Sequence, residues 1–469
     1  MAMSPITPEQ FAALPPEFRA ILQAVIDHYE ERIAKLQAEL EGFKKSPRNS
    51  SLPPSSEHPH AKPPAAKPRS NKKQGGQPGH AKRQRALIPS ERCDQVLSLK
   101  PAKCRRCGEQ LRGEDPLPWR HQVWELPEIK PLVTEYQRHR LKCSGCGETT
   151  CASLPTGVPQ GQAGPRLIAL VALLMGCFRQ SKSRTALFLE QVLGQPCSTG
   201  WVVKLQNQAT AALRPAYDEL ANQLPTQEVL GIDETPTKQA RVKSWLWTCV
   251  AARFTVFAVR ATRAATVLTE LLGDAYQGVV NCDRAKMYYS LSRLQWCWAH
   301  LKRDFQALID SGNGQQRRLG RDLMRSTRKL FRLWARYRDG TLTRRGFQRA
   351  MRPVRAEIDA LLLRGEYSGD ARLRGMCKPL WEHRAWLWTF VDEEGVDPTN
   401  NASERALRQA VIWRKLSFGT QSESGSRFVE TLLTVVETCR QQSRAAYPFI
   451  ADAVRAHLAR QPTPSLTRV

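Results

Sequence analysis

"EVLGIDETP", residues 228–236, decides the fold. It is a short apolar run, with Val229, Leu230 and Ile232 around Gly231, that stops at two acids, Asp233 and Glu234. A run of that length with polar ends reads as a buried β-strand delivering carboxylates at its tip. Working outward, "SWLWTCVAARFTVFAVR" (residues 244–260) gives two more strands in a meander. "TRAATVLTELLG" (262–273) gives a helix, and "GVVNCDRAKMYY" (278–289) a fourth strand ending at Asp283, with a helix after it.

Three antiparallel strands, a helix and a further strand form the ribonuclease-H-like order, in which the first and fourth strands are neighbours. Asp233 and Asp283, one at the end of each, then face one another. Adjacent carboxylates repel unless a cation lies between them. Two Mg²⁺ (or Mn²⁺) ions about 3.5–4 Å apart would resolve that, activating a water or 3′-hydroxyl on one side of a phosphodiester and steadying the leaving oxygen on the other. Such a site takes oxygen ligands and asks for a third carboxylate from a helix packed on the sheet. Each aspartate alone reads equally as a strand-end turn or helix cap. Their joint placement is what favours metal, with Glu234 standing behind Asp233.

One candidate for the third carboxylate lies in "NNASERALRQ", residues 400–409. Asn401 at the N-cap with Glu404 at N3 makes a capping box worth about 1 kcal/mol. The same Glu404 on a helix reaching the sheet would complete the acidic set. Asp392, Glu393 and Glu394, in a loop just before, are rivals. Between Asp283 and Glu404 lie 120 residues, too many for one crossover. Residues 301–390 carry 21 Lys/Arg against nine acids. "RRLGRDLMRSTRKLFRLWARYRDG" (317–340) and "MRPVRAEIDALLLRG" (351–365) read there as amphipathic helices. Cys297-x-x-His300 opens this insertion; with only two ligands visible it reads as a structural or positioning pair rather than a zinc site. Trp298, Trp386 and Trp388 read as core rather than base-stacking platforms.

The upstream half is organised differently. Leu22, Ile26, Tyr29, Ile33, Leu36, Leu40 and Phe43 alternate spacings of four and three, the a/d seam of a coiled coil or of a helix packed on its own chain. Residues 44–85 hold eight prolines and eleven Lys/Arg against one acid, a disordered basic linker suited to phosphates or to acting as a spacer. Cys104-x-x-Cys107 and Cys143-x-x-Cys146 each precede glycine, in "CRRCG" and "CSGCG". Two such knuckles supply four thiolates to one tetrahedral structural Zn²⁺, with "HQVWELPEIKPLVTEYQRHRLK" (121–142) as strands bringing them together. Cys93, His121 and Cys151 fall outside that pattern. Residues 165–213 read as helical. "GQPCST" (194–199) separates two short helices there, either a helix-turn-helix with its reading helix from Ser198 or an ordinary hairpin.

The formal charge is +27, from 71 basic and 44 acidic residues in 469, which points to a polyanionic partner, nucleic acid ahead of a membrane surface. "MAMSPITPEQ" has no signal-peptide pattern, and the longest apolar run, residues 167–178, is too short for the roughly 20 residues that span a bilayer. The 13 cysteines, an odd number without a secretory signal, fit a reducing cytoplasm. No Walker A or nucleotide-binding glycine pattern is present, so no nucleotide cofactor is expected.

"GIDETP", "NCDRAKMYY", "WCWAHLKRDF" and "NNASERALR" stand in the order found in DDE transposases of the insertion-sequence sixty-six type, and "NSSLPPSSEHP", "GGQPGH" and the two CxxCG knuckles resemble that family upstream. The resemblance covers roughly residues 45–445. It implies a catalytic and metal-binding triad of Asp233, Asp283 and Glu404, with Asn401 left to cap alone and Arg405 and Arg408 facing DNA. It implies an enzyme of a bacterial cytoplasm, nucleoid-associated, that binds the terminal inverted repeats of its element and cleaves and joins strands, as a homodimer or higher, with accessory proteins of the element. A nuclease or resolvase on the same scaffold, or a non-catalytic DNA-binding descendant, are the alternatives. The expected fold is multidomain α+β. It runs as a coiled-coil helix (1–43), a basic linker (44–86), a zinc-binding module (87–155), a helical region (160–225), a ribonuclease-H-like catalytic domain (226–440) with a helical insertion (298–396), and a helical tail (441–469).

Overall fold

The computed structural model describes residues 13–44, 85–311 and 313–467, with side chains from 34 to 44 excepted. The expected linker lies almost wholly outside these residues, as do the side chains of Leu36, Leu40 and Phe43. The expected N-terminal helix forms as α1, Pro16–Lys44, with Ile26, Tyr29 and Ile33 of the seam exposed.

Two units can be told apart. Among described residues the smaller runs from 85 to 134 with 192–194, and has little regular structure beyond a short turn at Ser90–Arg92. The strands expected from residue 121 do not form before β1, Arg140–Lys142, which pairs with β2, Thr149–Cys151. Val123, Trp124, Leu126, Leu132 and Val133 are exposed, so no partner strand covers that stretch.

The larger unit holds the core. Helices α2 (Pro165–Gly176), α3 (Lys182–Leu193) and α4 (Thr199–Asn222) precede the sheet. Ser198 caps α4, its Oγ accepting from Trp201 N at 3.1 Å. One face of α4 is buried from Val202 to Leu220, and Tyr217 donates to the Phe257 carbonyl at 3.0 Å, so this helix lies on the sheet.

The sheet comprises β3 (Val229–Gln239), β4 (Val242–Val250), β5 (Thr255–Arg260), β6 (Val279–Cys282) and β7 (Leu294–Trp296), with helix α5 (Thr266–Leu272) before β6. Its order is β5-β4-β3-β6-β7; β3, β4 and β5 are antiparallel, while β6 and β7 run parallel to β3 and to one another. The first and fourth strands are neighbours, as their order in the sequence suggested. β3 corrects the expectation in one respect: it continues six residues past Asp233, to Gln239, because β4 pairs with it along that whole length. The helix expected after Asp283 is only a short 3₁₀ turn, Lys286–Ser290.

After β7 come α6 (Trp298–Asp310), α7 (Gly314–Arg338), α8 (Arg344–Glu366), α9 (Ala371–Glu382) and the short α10 (Thr389–Asp392). The two expected amphipathic helices are α7 and α8, each burying one leucine-rich face. Trp298 and Trp388 are fully buried core, whereas Trp386 is half-exposed and stacks on His383, ring centres 4.3 Å apart. The chain returns to the sheet as α11 (Asn401–Ser417), then α12 (Glu423–Gln441) and α13 (Ala446–Leu458), which packs on α2 and α4 rather than trailing.

Edge strand β5 would present bare N–H groups, a hazard that folds commonly cover. Here α12 covers it. Glu430, Thr434 and Thr438, four residues apart on one helix face, accept from the N–H groups of Val259, Phe257 and Thr255 at 3.0, 2.9 and 3.2 Å. Four helical residues rise about 6 Å and two strand residues about 6.6 Å, so the two periods run in step.

Candidate functional site

The parallel pairing of β3 with β6 matches Val229 to Val279 and Gly231 to Asn281. The pairing ends there; Asp233 lies two residues beyond Gly231 on β3 and Asp283 one residue past the end of β6, and the two carboxylates feel each other's charge. Each carboxylate is steadied by a backbone N–H: Asp233 accepts from Glu234 at 2.9 Å and Asp283 from Ala285 at 2.8 Å. Burial pushes the Asp233 carboxyl well above the usual range, and the charges of Glu234, Asp283 and Glu404 push it further. Glu404 therefore belongs to the same electrostatic neighbourhood, although it lies 120 residues beyond Asp283 in the chain.

Close packing brings it there. A Cβ on Gly231 would strike the Ser403 hydroxyl and come within 2.8 Å of Asn400 Oδ1, so only glycine lets the start of α11 lie against β3. Asn400 Nδ2 donates to the Ile232 carbonyl at 2.7 Å, and the Asn400 N–H donates to Cys297 Sγ at 3.2 Å. Across the gap, Asn281 Nδ2 donates to the carbonyls of Asp397 and Thr399 at 2.6 and 3.2 Å. Trp298 N donates to the Pro398 carbonyl at 2.9 Å. At its far end α11 stops at Phe418, in the left-handed region, and Thr420 exchanges backbone hydrogen bonds with Lys238 and Ala240 of the β3 end. The helix is thus pinned along the strand that carries Asp233.

The capping-box expectation needs correction. The N-cap is Asn400, not Asn401, and Glu404 stands at N4 rather than N3. No side chain caps the helix, because the Asn400 amide is engaged with the sheet. Asn401, Arg405 and Arg408 are exposed.

Glu404 Oε1 lies 3.6 Å from His300 Nδ1 and 4.0 Å from Arg303 Nη2. Burial raises the Glu404 carboxyl above its ordinary value, against the pull of Arg303, Arg408 and Arg405. Burial lowers His300 to about 4, with Arg303 and Arg284 adding to the effect, so its imidazole is neutral at pH 7. Cys297 is pushed up to about 11 by burial, opposed by N–H groups of Asn400 and His300. Asn281 Oδ1, His300 Nδ1, Arg303 Nε, Asn400 Oδ1, Ser403 Oγ and Glu404 Oε1 are all buried without a hydrogen-bond partner. Among the described residues, one trio of Cys, His or acidic donors converges to within 4.8 Å: Cys297, His300 and Glu404. The carboxylates of Asp233, Asp283 and Glu404 share a field but do not come that close.

Glu234 shares the field of the other acids but its carboxylate is occupied. Tyr288 and Arg263 both donate to its carboxylate, and Arg263 also approaches Asp283 at 3.8 Å. The rival acids are placed elsewhere: Asp392 pairs with Arg355 at 3.4 Å and Glu393 with Arg293, and neither contributes to the shift of Asp233. Gly231, Arg263, Asn281, Tyr288 and Arg303 pack against or bond to the elements and acids of this candidate site, and the sequence reading passed over them. All five lie in or beside the quoted motifs, but their roles depend on partners distant in the chain. A groove of about 780 Å³ beside the start of α11 is lined by Lys302, Arg303, Gln306, Arg328, Phe331 and Asn401.

In the upstream region each knuckle can be described by itself. Cys104 N donates to the Glu109 carbonyl at 2.8 Å and Gly108 N to that of Cys104 at 3.0 Å; Cys143 and Gly147 repeat the pattern at 2.8 and 2.9 Å. Gly108 and Gly147 have φ of 79° and 75°, the conformation that the turn needs. Backbone N–H groups of Cys107 and Arg106 hold the Cys104 thiol below its usual value, and those of Cys146 and Gly145 do the same for Cys143.

The family model described as Transposase IS66 family matches residues 160–427, which takes in the sheet, the three acids and the helical insertion. The chain belongs to that family. A second model, a family of unknown function designated DUF6444, matches residues 6–86. Two uncharacterized proteins of Sinorhizobium fredii are similar over most of their length. y4qI is 24 % identical over 417 residues, covering 79 % of this chain and 74 % of its own. y4hP is 24 % identical over 421 residues, covering 80 % and 73 %. No helix among the described residues of this transposase-family chain is long and apolar enough to cross a membrane.

Proposed function

We propose that this protein is a DNA transposase of the DDE type, with a ribonuclease-H-like core, that cleaves the ends of its insertion sequence and joins them to target DNA. What supports the reading is that Asp233 on β3 and Asp283 just past β6 belong to neighbouring strands, that Glu404 comes from a helix pinned to the same sheet through Gly231, Asn400 and Asn281, and that both other acids act on the charge of Asp233.

The donor set fits hard divalent ions. Three carboxylates supply oxygen, Asp233 feels the charge of the other two, and one oxygen of Glu404 is buried and unpartnered. Bound there, Mg²⁺ or Mn²⁺, two ions, would activate the attacking water or 3′-hydroxyl and stabilise the leaving oxygen. The chain's own residues do the rest. The neighbouring strands β3 and β6 position the two aspartates, and Arg263 with Tyr288 keeps Glu234 from competing with them. Lys302 and Arg328 in the groove, and Arg405 and Arg408 on α11, take backbone phosphates of the transposon end. The charge of +27 supports a nucleic-acid partner. We further propose that Cys104, Cys107, Cys143 and Cys146 hold one structural Zn²⁺, on their spacing and their matching turns. The exposed Ile26, Tyr29 and Ile33 of α1 are proposed as part of a dimer contact, since two ends must meet.

The test is strand transfer: purified protein, Mg²⁺, a labelled duplex carrying the element's end with a free 3′-hydroxyl, and a supercoiled plasmid. Joining by the wild type, lost in Glu404→Gln with DNA binding retained, is the expected result. Cutting without joining would move the assignment to a nuclease. Equal joining by wild type and variant would remove Glu404 from the site.

A further inference from the structure

Cys297, His300 and Glu404 are drawn together by two helix starts. Cys297 is the N-cap of α6 and His300 lies three residues on, so both side chains fall on one face of its first turn. Glu404 comes from the first turn of α11. Their ligand atoms, one sulfur, one imidazole nitrogen and one carboxylate oxygen, all lie within 4.8 Å of one another.

Hydrogen bonding does not account for the arrangement. His300 Nδ1 and Glu404 Oε1 are 3.6 Å apart, beyond hydrogen-bond length, and both atoms are buried and unpartnered. Arg303 Nη2 stands 4.0 Å from the same oxygen and does not satisfy it. Two ligands bound at about 2.0–2.1 Å with a tetrahedral angle between them sit roughly 3.3 Å apart, close to what is observed. The Cys297 sulfur accepts the Asn400 N–H at 3.2 Å, which fixes its position at the start of α6.

We propose that Cys297, His300 and Glu404 form a three-donor site for a borderline-soft divalent transition metal of the Zn²⁺ class, with a fourth position open to water or substrate. Sulfur and imidazole suit that class and not Mg²⁺. Binding releases the thiol proton to solvent, so it strengthens as pH rises. The site differs from the four-cysteine site proposed upstream, and it shares one residue, Glu404, with the carboxylate triad. Binding itself does not rest on the transposase reading. One consequence does: an ion held here takes Glu404 Oε1 away from the triad.

The test is a Co²⁺ titration of the full-length chain, stripped by chelator, in the absence of DNA, followed by the thiolate-to-metal absorption and the equivalents bound. Wild type is compared with Cys297→Ser and His300→Gln; the knuckle cysteines are present in all three and cancel. The expected result is one tightly bound equivalent more in wild type than in either variant, any residual binding at that position in His300→Gln being at least about 100-fold weaker, since even an outer partner of a ligand contributes 10–100-fold. Equal equivalents and the same spectrum in all three would overturn the proposal. Should Cys297→Ser fail to fold by circular dichroism, His300→Gln decides alone.

Discussion

Two glutamates on helices packed against the same sheet meet opposite fates. Glu430 of α12 is fully buried, yet every need is met: Arg214 and Arg427 bond one oxygen at 2.9 and 2.8 Å, while the Val259 N–H reaches the other at 3.0 Å with Arg260 3.7 Å away. Glu404 of α11 is only partly buried, yet its Oε1 has no hydrogen bond, and the equally unpartnered His300 Nδ1 stands 3.6 Å away. A satisfied buried carboxylate is a structural clasp. An unsatisfied one among other acids is arranged for something other than stability. The contrast separates the half of the sheet that holds the fold from the half that carries the proposed active site.

The largest expected effect is on Glu404. Glu404→Gln lowers strand joining by about 10³-fold or more, the scale of several kcal/mol that a metal site supplies, while the thermal transition barely moves. A variant that unfolds instead would make Glu404 a clasp like Glu430. Glu430→Gln should do the reverse, destabilising by about 3–5 kcal/mol in denaturant titration, since Arg214 and Arg427 lose their anion, with joining per folded molecule retained. Gly231→Ala tests the packing between the two halves. We expect roughly 1–3 kcal/mol of destabilisation from overpacking against Ser403 and Asn400, and about 10²-fold slower joining as α11 shifts.

Asp233 gives a pH test. Its folded pKa is raised, so the protonated form favours folding: that stability is fully present below the unfolded carboxylate pKa and is lost as pH rises through the higher folded value. Without divalent ions, Asp233→Asn should therefore stabilise the protein at pH 7 by on the order of 1 kcal/mol, a gain that shrinks toward pH 4. Adding Mg²⁺ should raise the melting temperature of the wild type more than that of the variant; equal shifts would place the ions elsewhere. The smallest effect is that of Thr434→Val. It removes one acceptor from the β5 edge, at about 1 kcal/mol, with no change in joining.

Strand identity, the antiparallel meander, the position of Asp283 and the amphipathic α7 and α8 could be read in the sequence because apolar period and turn residues act locally. So could the knuckle turns, which need only a glycine at positive φ. The order of motifs also indicated the family, and so pointed to Asp233, Asp283 and Glu404 as a set. The cap could not be read. "NN" offers two asparagines, and nothing local says that Asn400 turns inward to a strand carbonyl 168 positions earlier while Asn401 faces solvent. The continuation of β3 past Asp233 was equally hidden, because Pro236 and Thr237 look like a turn until β4 pairs with them.

By itself, then, the sequence determined the meander around Asp233, the amphipathic helices, the positive charge and the list of acids, all properties of residues and their near neighbours. Only the tertiary structure decided which acid is free and which is bound. Glu234 is occupied because Arg263 and Tyr288 fold onto it, and Glu430 because three arginines from α4, the end of β5 and its own helix surround it. Glu404 retains an unpartnered oxygen because the side chains nearest to it are a neutral imidazole, a thiol and a guanidinium too distant to bond. Whether a carboxylate is satisfied depends on hydrogen-bond distances across long loops, and those distances exist only once the chain has closed on itself.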